Sequence, residues 1–309
     1  MSEPVLIRPP FWPGARRGAA LAAGAVLLLA YTLAPVLWLV SSSLQTEREI
    51  VSVPPHWIPE HPTLFNFRAI LATGLGQPLP TAGSDPASGG FIPSTAANLL
   101  PAMGNSLIVA VLIVVLNLLI GIPAAYALAK IRFRGRQAVL YGVLATRVVP
   151  DIALVVPFFL VIRKLGLLDS LTSLTVTYLA ITVPFSVFIL TSFFEQLPDD
   201  LDKAARVDGC SRLQTLLRVF LPLARPALVA VGLFAFLASW NEFLLALMFT
   251  QTAASQTLPI IVASFTSDFT VSFSFLNAAG VLAVLPPVLL AILFERHIVS
   301  GLTAGAVKG

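Results

Sequence analysis

Residues 105–129, NSLIVAVLIVVLNLLIGIPAAYALA, contain no charged side chain. About 20 apolar residues in a helix cross the hydrocarbon core of a bilayer, so this stretch predicts a membrane-spanning helix. Similar apolar runs recur along the chain. Together they predict an all-α membrane protein with six transmembrane helices, at residues 19–40, 105–129, 138–162, 171–194, 226–249 and 275–294.

The composition agrees with a membrane protein. Of the 309 residues, 57% are hydrophobic and 11% are charged, whereas soluble domains carry about 25% charged residues. Cys210 is the single cysteine, which excludes a disulfide within the chain. The histidines are scattered without the spacing of metal ligands, so no metal or cofactor site is predicted in this chain.

The first apolar run has two interpretations, a cleaved signal peptide or a span. Arg16 and Arg17 precede it, as they would in a signal peptide. The run continues from Ala19 to Val40, however, beyond the roughly 7–15 residues of a signal-peptide apolar region. We therefore predict an uncleaved span after an N-terminal segment, residues 1–18.

The distribution of Lys and Arg predicts the orientation. Fourteen of the 19 basic residues lie in the segments 1–18, 130–137, 195–225 and 295–309, which six spans place on one side. The positive-inside rule assigns this side, with both termini, to the cytoplasm. Arg163 and Lys164 fall on the opposite side and count weakly against the assignment.

The opposite side carries one long connection, residues 41–104. Its segment 74–95 is rich in Gly and Pro, a composition typical of a flexible loop, and it is interpreted either as a surface insertion or as a contact for a soluble partner. Upstream, TLFNFRAIL (63–71) predicts a short helix on the outer surface. Its expected apolar face consists of Leu64, Phe67, Ile70 and Leu71.

The segment LDKAARVDGCSRLQTLLRVFLPLARP (201–226) concentrates charge in a chain that otherwise avoids it. A first helix is expected to begin at Pro198, with three aspartates near its positive end, and to stop near Gly209 in a left-handed conformation. Ser211 and Gln214 have the spacing of a capping box that starts a second helix.

That second helix is expected to end before Pro222. Its expected apolar face consists of Leu213, Leu216, Leu217 and Phe220. The residues alone leave two interpretations of this helix–turn–helix, an amphipathic element at the lipid surface or a docking site for another protein.

A family resemblance favours docking. Segment 195–225 resembles the EAA loop of permease subunits in binding-protein-dependent ABC importers, a motif of E-A-A, three residues, G, nine residues and I-x-L-P. The matching and adjoining positions, which the resemblance implies couple to an ATP-binding subunit, are Lys203, Ala204, Ala205, Asp208, Gly209, Leu221 and Pro222.

Two positions depart from the motif. Val219 replaces Ile, and Lys203 replaces the usual Glu. A reversed charge in a buried ion pair would cost several kcal/mol, whereas at an exposed position it costs about 0–1 kcal/mol. We therefore expect Lys203 on an exposed rim, near Asp202 or Asp208.

The resemblance extends over nearly all of residues 105–309. NSLIVAVL (105–112), AAYALAKIRFRGR (124–136), VPFFLVIRKLGLLDS (156–170), SWNEFLLAL (239–247) and GLTAGAVKG (301–309) are similar to the carbohydrate branch of these permeases, of the maltose-permease G type. The resemblance implies a six-span domain, residues 19–298, with the MetI-like ABC permease fold. It also implies that the tail, residues 299–309, approaches the ATP-binding subunits; a free tail is the alternative.

The resemblance further implies a set of partners in a bacterial or archaeal plasma membrane, the inner membrane in a Gram-negative cell. They are a different, F-type permease subunit, a dimer of ATP-binding subunits that binds ATP and Mg, and an extracytoplasmic solute-binding protein that delivers sugar. This chain has no G-x-x-x-x-G-K-[ST] phosphate loop of its own. No nucleic-acid partner is implied, and no enzymatic activity.

Polar residues within the predicted spans have two interpretations each. Arg147 and Asp151, four residues apart, are expected to pair on one side of the third helix, with sugar contact as the alternative. Four others either line a sugar path or join helices: Asn117, Asn241, Glu242 and Asn277.

Other function classes find little support in the sequence. A secondary transporter would show a coupling-ion site and inverted repeats, and an intramembrane enzyme would carry a catalytic constellation within the spans. A phosphorylated substrate such as a glycerol phosphate would require an arginine cluster, and Arg147 is the one arginine inside a predicted span. We therefore expect an uncharged sugar, with a polyol or glycerol-phosphate substrate as the alternative.

Overall fold

The computed structural model describes residues 14–77, 92–266 and 271–304. These residues form helices and connecting turns without a β-strand, apart from one isolated bridge between Thr266 and Val271. The predicted all-α class is confirmed. The start of the N-terminal segment (1–13), most of the Gly/Pro-rich insertion (78–91) and the end of the tail (305–309) lie outside the described residues.

The helices of the described residues are numbered in chain order. The long ones are α1 (Gly14–Ser43), α4 (Leu99–Lys130), α5 (Arg136–Ala145), α6 (Asp151–Lys164), α7 (Leu171–Gln196), α11 (Arg225–Trp240) and α14 (Phe273–Ala304). The others, of ten residues or fewer, as α5 also is, are α2 (Glu47–Ile50), α3 (Phe65–Gly74), α8 (Asp200–Val207), α9 (Arg212–Thr215), α10 (Leu221–Leu223), α12 (Leu244–Phe249) and α13 (Leu258–Ser264). Helix α14 continues to Ala304, past residue 299, where the tail was predicted to begin.

Four of these helices, α1, α4, α7 and α14, are each long and apolar enough to cross a membrane. Two bent pairs raise the number to six among the described residues: the segment 136–148 with α6, meeting at 96°, and the segment 212–223 with α11, meeting at 82°. The structure thus provides between four and six spans.

The prediction of a continuous third span, residues 138–162, is wrong. Helix α5 gives way to a 3₁₀ turn at Thr146–Val148, and α6 starts at Asp151. Pro150 lies between them, and Val149 before it has the extended backbone that a residue preceding proline prefers. The proline therefore converts one apolar run into two helices.

The fifth predicted span, residues 226–249, is also interrupted. Helix α11 ends at Trp240, and α12 begins at Leu244 after a turn. In that turn the Glu242 carboxylate accepts hydrogen bonds from the backbone N–H groups of Leu245 (2.7 Å) and Ala246 (3.1 Å). It thereby satisfies N–H groups that the first turn of α12 cannot pair internally.

The core is built around α4. Buried residues of α4 join three apolar clusters: one with α3, α13 and α14, one with α6, α7 and α12, and one with α7 and the segment 212–223. Helix α11 contributes to all three as well. Helices α4, α7 and α11 therefore form the centre of the molecule.

Helix α1 contrasts with this centre. All residues from 18 to 37 are exposed, and its contact with α14 lies near its end, where Leu39 approaches Gly280. Most of the surface of this apolar helix is therefore left uncovered by the described chain.

The predicted outer helix is present as α3, but its buried face differs from the prediction. Leu64 and Leu71 are exposed, and the face toward the core consists of Phe65, Asn66, Ala69 and Ile70. The Asn66 amide donates hydrogen bonds to the carbonyls of Ser43 (3.1 Å) and Gln45 (3.3 Å). This polar contact with the end of α1 selects the face, which a count of apolar spacing does not consider.

On the same side as α3, Asp169 joins two loops. It lies in the α6–α7 turn with a left-handed backbone, φ 56°. Its carboxylate accepts hydrogen bonds from the N–H groups of Gln251 (2.8 Å) and Thr252 (3.0 Å) and from the hydroxyls of Thr252 (2.8 Å) and Ser255. The α6–α7 turn is thus fixed to the loop that follows α12.

Candidate functional site

The first helix that lies wholly within segment 195–225, which we call the coupling segment, is α8. The helix starts at Asp200, two residues later than predicted, because Pro198 and Asp199 form the turn that leads into it. It ends at Val207, and Gly209 in the turn that follows has a φ of 81°, which confirms the predicted left-handed conformation. Apart from Gly209 and its two neighbours in the chain, no atom of the described residues lies within 4 Å of the position that a Cβ would take at Gly209, so this corner is open.

The second helix of the coupling segment starts with the predicted capping box. The Gln214 N–H donates to the Ser211 hydroxyl (3.3 Å), and the Ser211 N–H donates to the Gln214 side chain (2.8 Å). The box is confirmed, and it fixes the direction in which the chain leaves the corner.

The prediction that this helix ends before Pro222 is wrong. A π turn occupies Leu216–Phe220, in which the Leu221 N–H donates to the Leu216 carbonyl, and helical structure continues through Pro222 to Leu223. The wider turn lets the backbone pass a residue that has no N–H to donate. The sharp bend of 82° follows at Ala224 instead.

The coupling segment has an inner and an outer apolar face. Leu216 and Phe220 are buried as predicted, but Leu213 and Leu217 are exposed, at 63% and 51%. Val207 at the end of α8 is 87% exposed. The expected single apolar face is therefore divided. Its outer part, Leu213 and Leu217, is exposed, as is Val207 of α8, and these three residues make up the outer apolar surface.

Lys130, the last residue of α4, connects the start of the coupling segment to the core. Its side chain is 3% exposed. Its ammonium donates to the Leu197 carbonyl (2.7 Å) and the Asp199 carboxylate (2.9 Å) and lies 5.6 Å from the centre of the Phe220 ring. The hydrogen bond and charge of Lys130 hold the pKa of Asp199 below its usual range.

Aromatic packing reinforces this connection. The Tyr126 hydroxyl donates to the Asp202 carboxylate at 3.0 Å, and its ring meets those of Phe194 (6.4 Å) and Phe220 (5.4 Å) edge to face. We call Lys130, Tyr126, Phe194 and Phe220 the joint. It ties the coupling segment to the adjoining ends of α4 and α7.

Sequence reasoning did not identify the joint. Lys130 reads as one more basic residue that follows a span, and Tyr126 as part of the apolar run. Their partners lie 69 and 76 residues away in the chain. The available signal is an aromatic residue followed, one turn later, by a cation at the end of a span.

Lys203, at the position where the family motif has Glu, lies on an exposed rim, as expected. It is 73% exposed and pairs with Asp200 at 2.8 Å, and this hydrogen bond raises the pKa of Lys203. The expected partners, Asp202 and Asp208, are not the ones it uses, because Asp202 is engaged by Tyr126 and by Arg206. Ala204 and Asp208 are exposed beside it, while Ala205 is buried.

Of the polar residues in the predicted spans, Asn117 and Glu242 both contact α7. Asn117 is fully buried and donates to the Thr182 hydroxyl at 2.7 Å. Glu242 accepts from the Tyr178 hydroxyl at 2.5 Å. Tyr178 and Thr182, which sequence reasoning missed, lie one turn apart, so α7 carries a line of polar contacts to α4 and to the α11–α12 turn.

Arg147 and Asp151 are close, 3.6 Å apart, but they are not on one helix, because the break at Pro150 lies between them. The Arg147 guanidinium also donates to the Ile181 carbonyl of α7 at 3.2 Å. Both residues line a cleft of about 340 Å³ at this break. The break therefore places a charged pair on an accessible surface instead of inside a helix bundle.

Asn241 and Asn277 stand apart from these contacts. The exposed Asn241 donates within its own helix, to the Leu237 carbonyl at 3.0 Å, and the half-buried Asn277 lies near the start of α14. The described residues contain no group of three or more His, Cys, Asp or Glu side chains suited to a metal ion.

The family model described as "binding-protein-dependent transport system inner membrane component" matches residues 117–303. The chain is 36% identical to the sulfoquinovosyl glycerol transport system permease protein of Agrobacterium fabrum, over 92% of each chain. It is 33% identical to the diacetylchitobiose uptake system permease protein of Streptomyces coelicolor, over 92% of this chain and 95% of that one. Identity to the trehalose/maltose transport system permease protein of Thermococcus litoralis is 36%, over 93% and 95%.

Solved structures show a similar fold. A chain from a bacterial ABC transporter involved in the import of the acidic polysaccharide alginate aligns with a TM-score of 0.73 at 22% identity, covering 94% of this chain and all of that one. A chain of the MetNI methionine ABC transporter, in an inward-facing conformation, aligns with a TM-score of 0.55 at 18% identity, over 68% and 99%. The predicted MetI-like ABC permease fold is confirmed.

Proposed function

Because the chain belongs to the family of binding-protein-dependent transport system inner membrane components, it is a permease subunit of an ABC importer, and we propose that it forms half of a pathway for sugar. It is an integral protein of the plasma membrane, and its relatives are transport permeases and not enzymes. The family implies ATP-binding subunits and a substrate-binding protein as partners.

A carbohydrate substrate is supported by relatives of more than 30% identity that are named for sugar or sugar-derivative transport. Within the proposed path, Asn117 keeps a buried amide oxygen that has no hydrogen-bond partner among the described residues, and an amide oxygen suits a sugar hydroxyl. Arg147 is already engaged by Asp151 and Ile181. These contacts favour a neutral sugar over a phosphorylated one.

The coupling role of segment 195–225 is supported by one observation above all. Its exposed apolar surface, Val207, Leu213 and Leu217, lies directly outside the joint that ties the segment to α4 and α7. We propose that an ATP-binding subunit covers this surface. A displacement of this surface would be transmitted to the spans through the joint. Bound ATP and the loaded binding protein would then favour the same global state of the transporter.

The complete transporter in this proposal contains a second, F-type permease, two ATP-binding subunits that bind ATP and Mg, and an extracytoplasmic solute-binding protein. The bare apolar surface of α1 supports a second permease, because small residues such as Ala20 and Gly24 let another helix approach closely. The coupling segment and both termini lie in the cytoplasm.

The coupling role is tested by Gly209→Val. A β-branched residue at a φ of 81° strains the turn by about 1–2 kcal/mol and places a side chain on the open corner where the ATP-binding subunit would approach. The variant should insert and pair with the partner permease, yet lose sugar uptake and the stimulation of ATPase activity by the loaded binding protein. Both are measured in proteoliposomes that contain the whole transporter.

Ser211→Gly is the matched control, since it weakens the neighbouring cap by only a few tenths of a kcal/mol. It should transport at nearly the wild-type rate. Normal uptake and normal stimulated ATPase activity in Gly209→Val would refute the coupling role of this corner.

A further inference from the structure

A second charged feature lies beside the joint and has no part in the function proposed so far. A cleft of about 1020 Å³ opens between the loop that follows α4, the start of α5 and the end of α7. Its lining includes Arg132, Arg134, Arg136, Phe133, Tyr141 and Glu195. The loop IRFRGR, residues 131–136, supplies most of this surface.

The charges of the cleft are unbalanced. Arg136 forms an ion pair with Glu195. Arg132 and Arg134 are exposed and form no ion pair or hydrogen bond with the described residues. Arg132 is close enough to Asp199 to contribute to lowering the pKa of that carboxyl, but Asp199 is bound by Lys130. The lining thus has three guanidinium groups and one carboxylate, and its net positive charge suits an anion.

The backbone adds donors to the same cleft. Helix α5 begins after Gly135, whose φ is 87°, and no side chain caps this end. Its first residues, Arg136, Gln137 and Ala138, line the cleft. The first N–H groups of a helix have no partner within it, and together with the helix dipole they attract phosphate-like anions.

The cleft also lies where a membrane surface is expected. It follows directly on the charged end of the α4 span. Helix α5 is apolar and exposed, with Val139 at 47% and Tyr141 at 65%, and Phe133 is 44% exposed. Aromatic side chains concentrate at membrane–water interfaces, with basic residues on the aqueous side.

We propose that this cleft binds the phosphate group of an anionic phospholipid from the leaflet on the side of the coupling segment. Arg132 and Arg134 would bind the phosphate oxygens together with the free N–H groups of α5, and the acyl chains would lie along the exposed face of α5. A basic pocket beside a span is the kind of site that holds a lipid headgroup. A purely aqueous protein surface would leave Phe133, Val139 and Tyr141 uncovered.

The test measures binding of phosphatidylglycerol to the purified whole transporter by native mass spectrometry, for wild type and for Arg132→Gln/Arg134→Gln. Each basic residue near an anionic surface contributes about 1 kcal/mol, so the double variant should bind about thirtyfold more weakly. The matched control is Arg163→Gln/Lys164→Gln, which removes two exposed cations at the other end of α6. It should bind as wild type does.

Two further measurements separate the alternatives. Inorganic phosphate should not displace the lipid. Displacement by phosphate, but not by another salt at the same ionic strength, would identify a site for a free anion instead. Co-purification of the ATP-binding subunits should be unchanged in Arg132→Gln/Arg134→Gln, and its loss would assign the cleft to protein docking. Equal lipid binding by wild type and double variant would also overturn the proposal.

Discussion

Asp169 shows at the scale of one residue how the outer loops are held together. Hydrogen bonds from the Ser255 hydroxyl and from Gln251 and Thr252 keep the pKa of its carboxyl well below the usual 3.8. The resulting stabilisation is complete above about pH 4 and is lost as the pH falls through the lowered pKa. Asp169→Asn should therefore lower the thermal unfolding midpoint of the purified transporter at neutral pH, and the difference from wild type should shrink in acid.

The control is Glu295→Gln, which neutralises an exposed carboxylate that has no hydrogen-bond or ion-pair partner among the side chains that the structure describes. It should leave the midpoint unchanged at every pH. A difference between Asp169→Asn and wild type that stays constant down to about pH 3 would mean that the negative charge is not the source of the stabilisation.

The coupling segment acts as an element with two different faces. Phe220 is fully buried in the joint, so Phe220→Ala should destabilise the protein by about 3–5 kcal/mol. Leu213 and Leu217 are exposed, so Leu213→Ser/Leu217→Ser should leave the unfolding of the isolated pair of permeases unchanged. The same double variant should fail to retain the ATP-binding subunits in a pull-down.

These two variants serve as controls for each other, because one tests the inner face and the other the outer face. Retention of the ATP-binding subunits by Leu213→Ser/Leu217→Ser at the wild-type level would show that they dock elsewhere. An undiminished unfolding midpoint for Phe220→Ala would show that the joint does not hold the segment.

The whole molecule is proposed to cross the membrane six times, with the coupling segment and the outer loop on opposite sides. Single cysteines at Gly83 and at Gln214, in a chain with Cys210 replaced by Ser, test this arrangement. In intact cells an impermeant thiol reagent should label the cysteine at Gly83 and should reach the one at Gln214 only after the membrane is opened. Labelling of both in intact cells would contradict the six-span arrangement.

Signals that act within a few residues could be predicted from the sequence. The left-handed Gly209 and the Ser211–Gln214 capping box depend on neighbouring atoms, and both are present. The breaks at Pro150 and at Glu242 were missed, since a run of apolar residues remains apolar whether or not the helix continues. In a bilayer, the turn at Glu242 is tolerable because its own carboxylate binds the freed N–H groups.

Contacts between distant residues were beyond sequence reasoning. The joint pairs Lys130 with Asp199 and Tyr126 with Asp202, and the position of each carboxylate depends on how α4, α7 and α8 pack. The divided face of the coupling segment has the same origin. Leu216 and Phe220 pack against Tyr126 and Phe194 of distant helices, whereas Leu213 and Leu217 lie outside that cluster and stay exposed.

The bare surface of α1 also bears on how the protein is made. Among the described helices it is synthesised first, yet residues 18–37 remain exposed after all described residues that follow are in place. The surface of α1 therefore still has no protein partner when the described part of the chain has folded. Lipid or a neighbouring chain must cover this surface. The relative rates at which a cell produces the subunits therefore decide how long α1 stays in contact with lipid before a partner chain binds it.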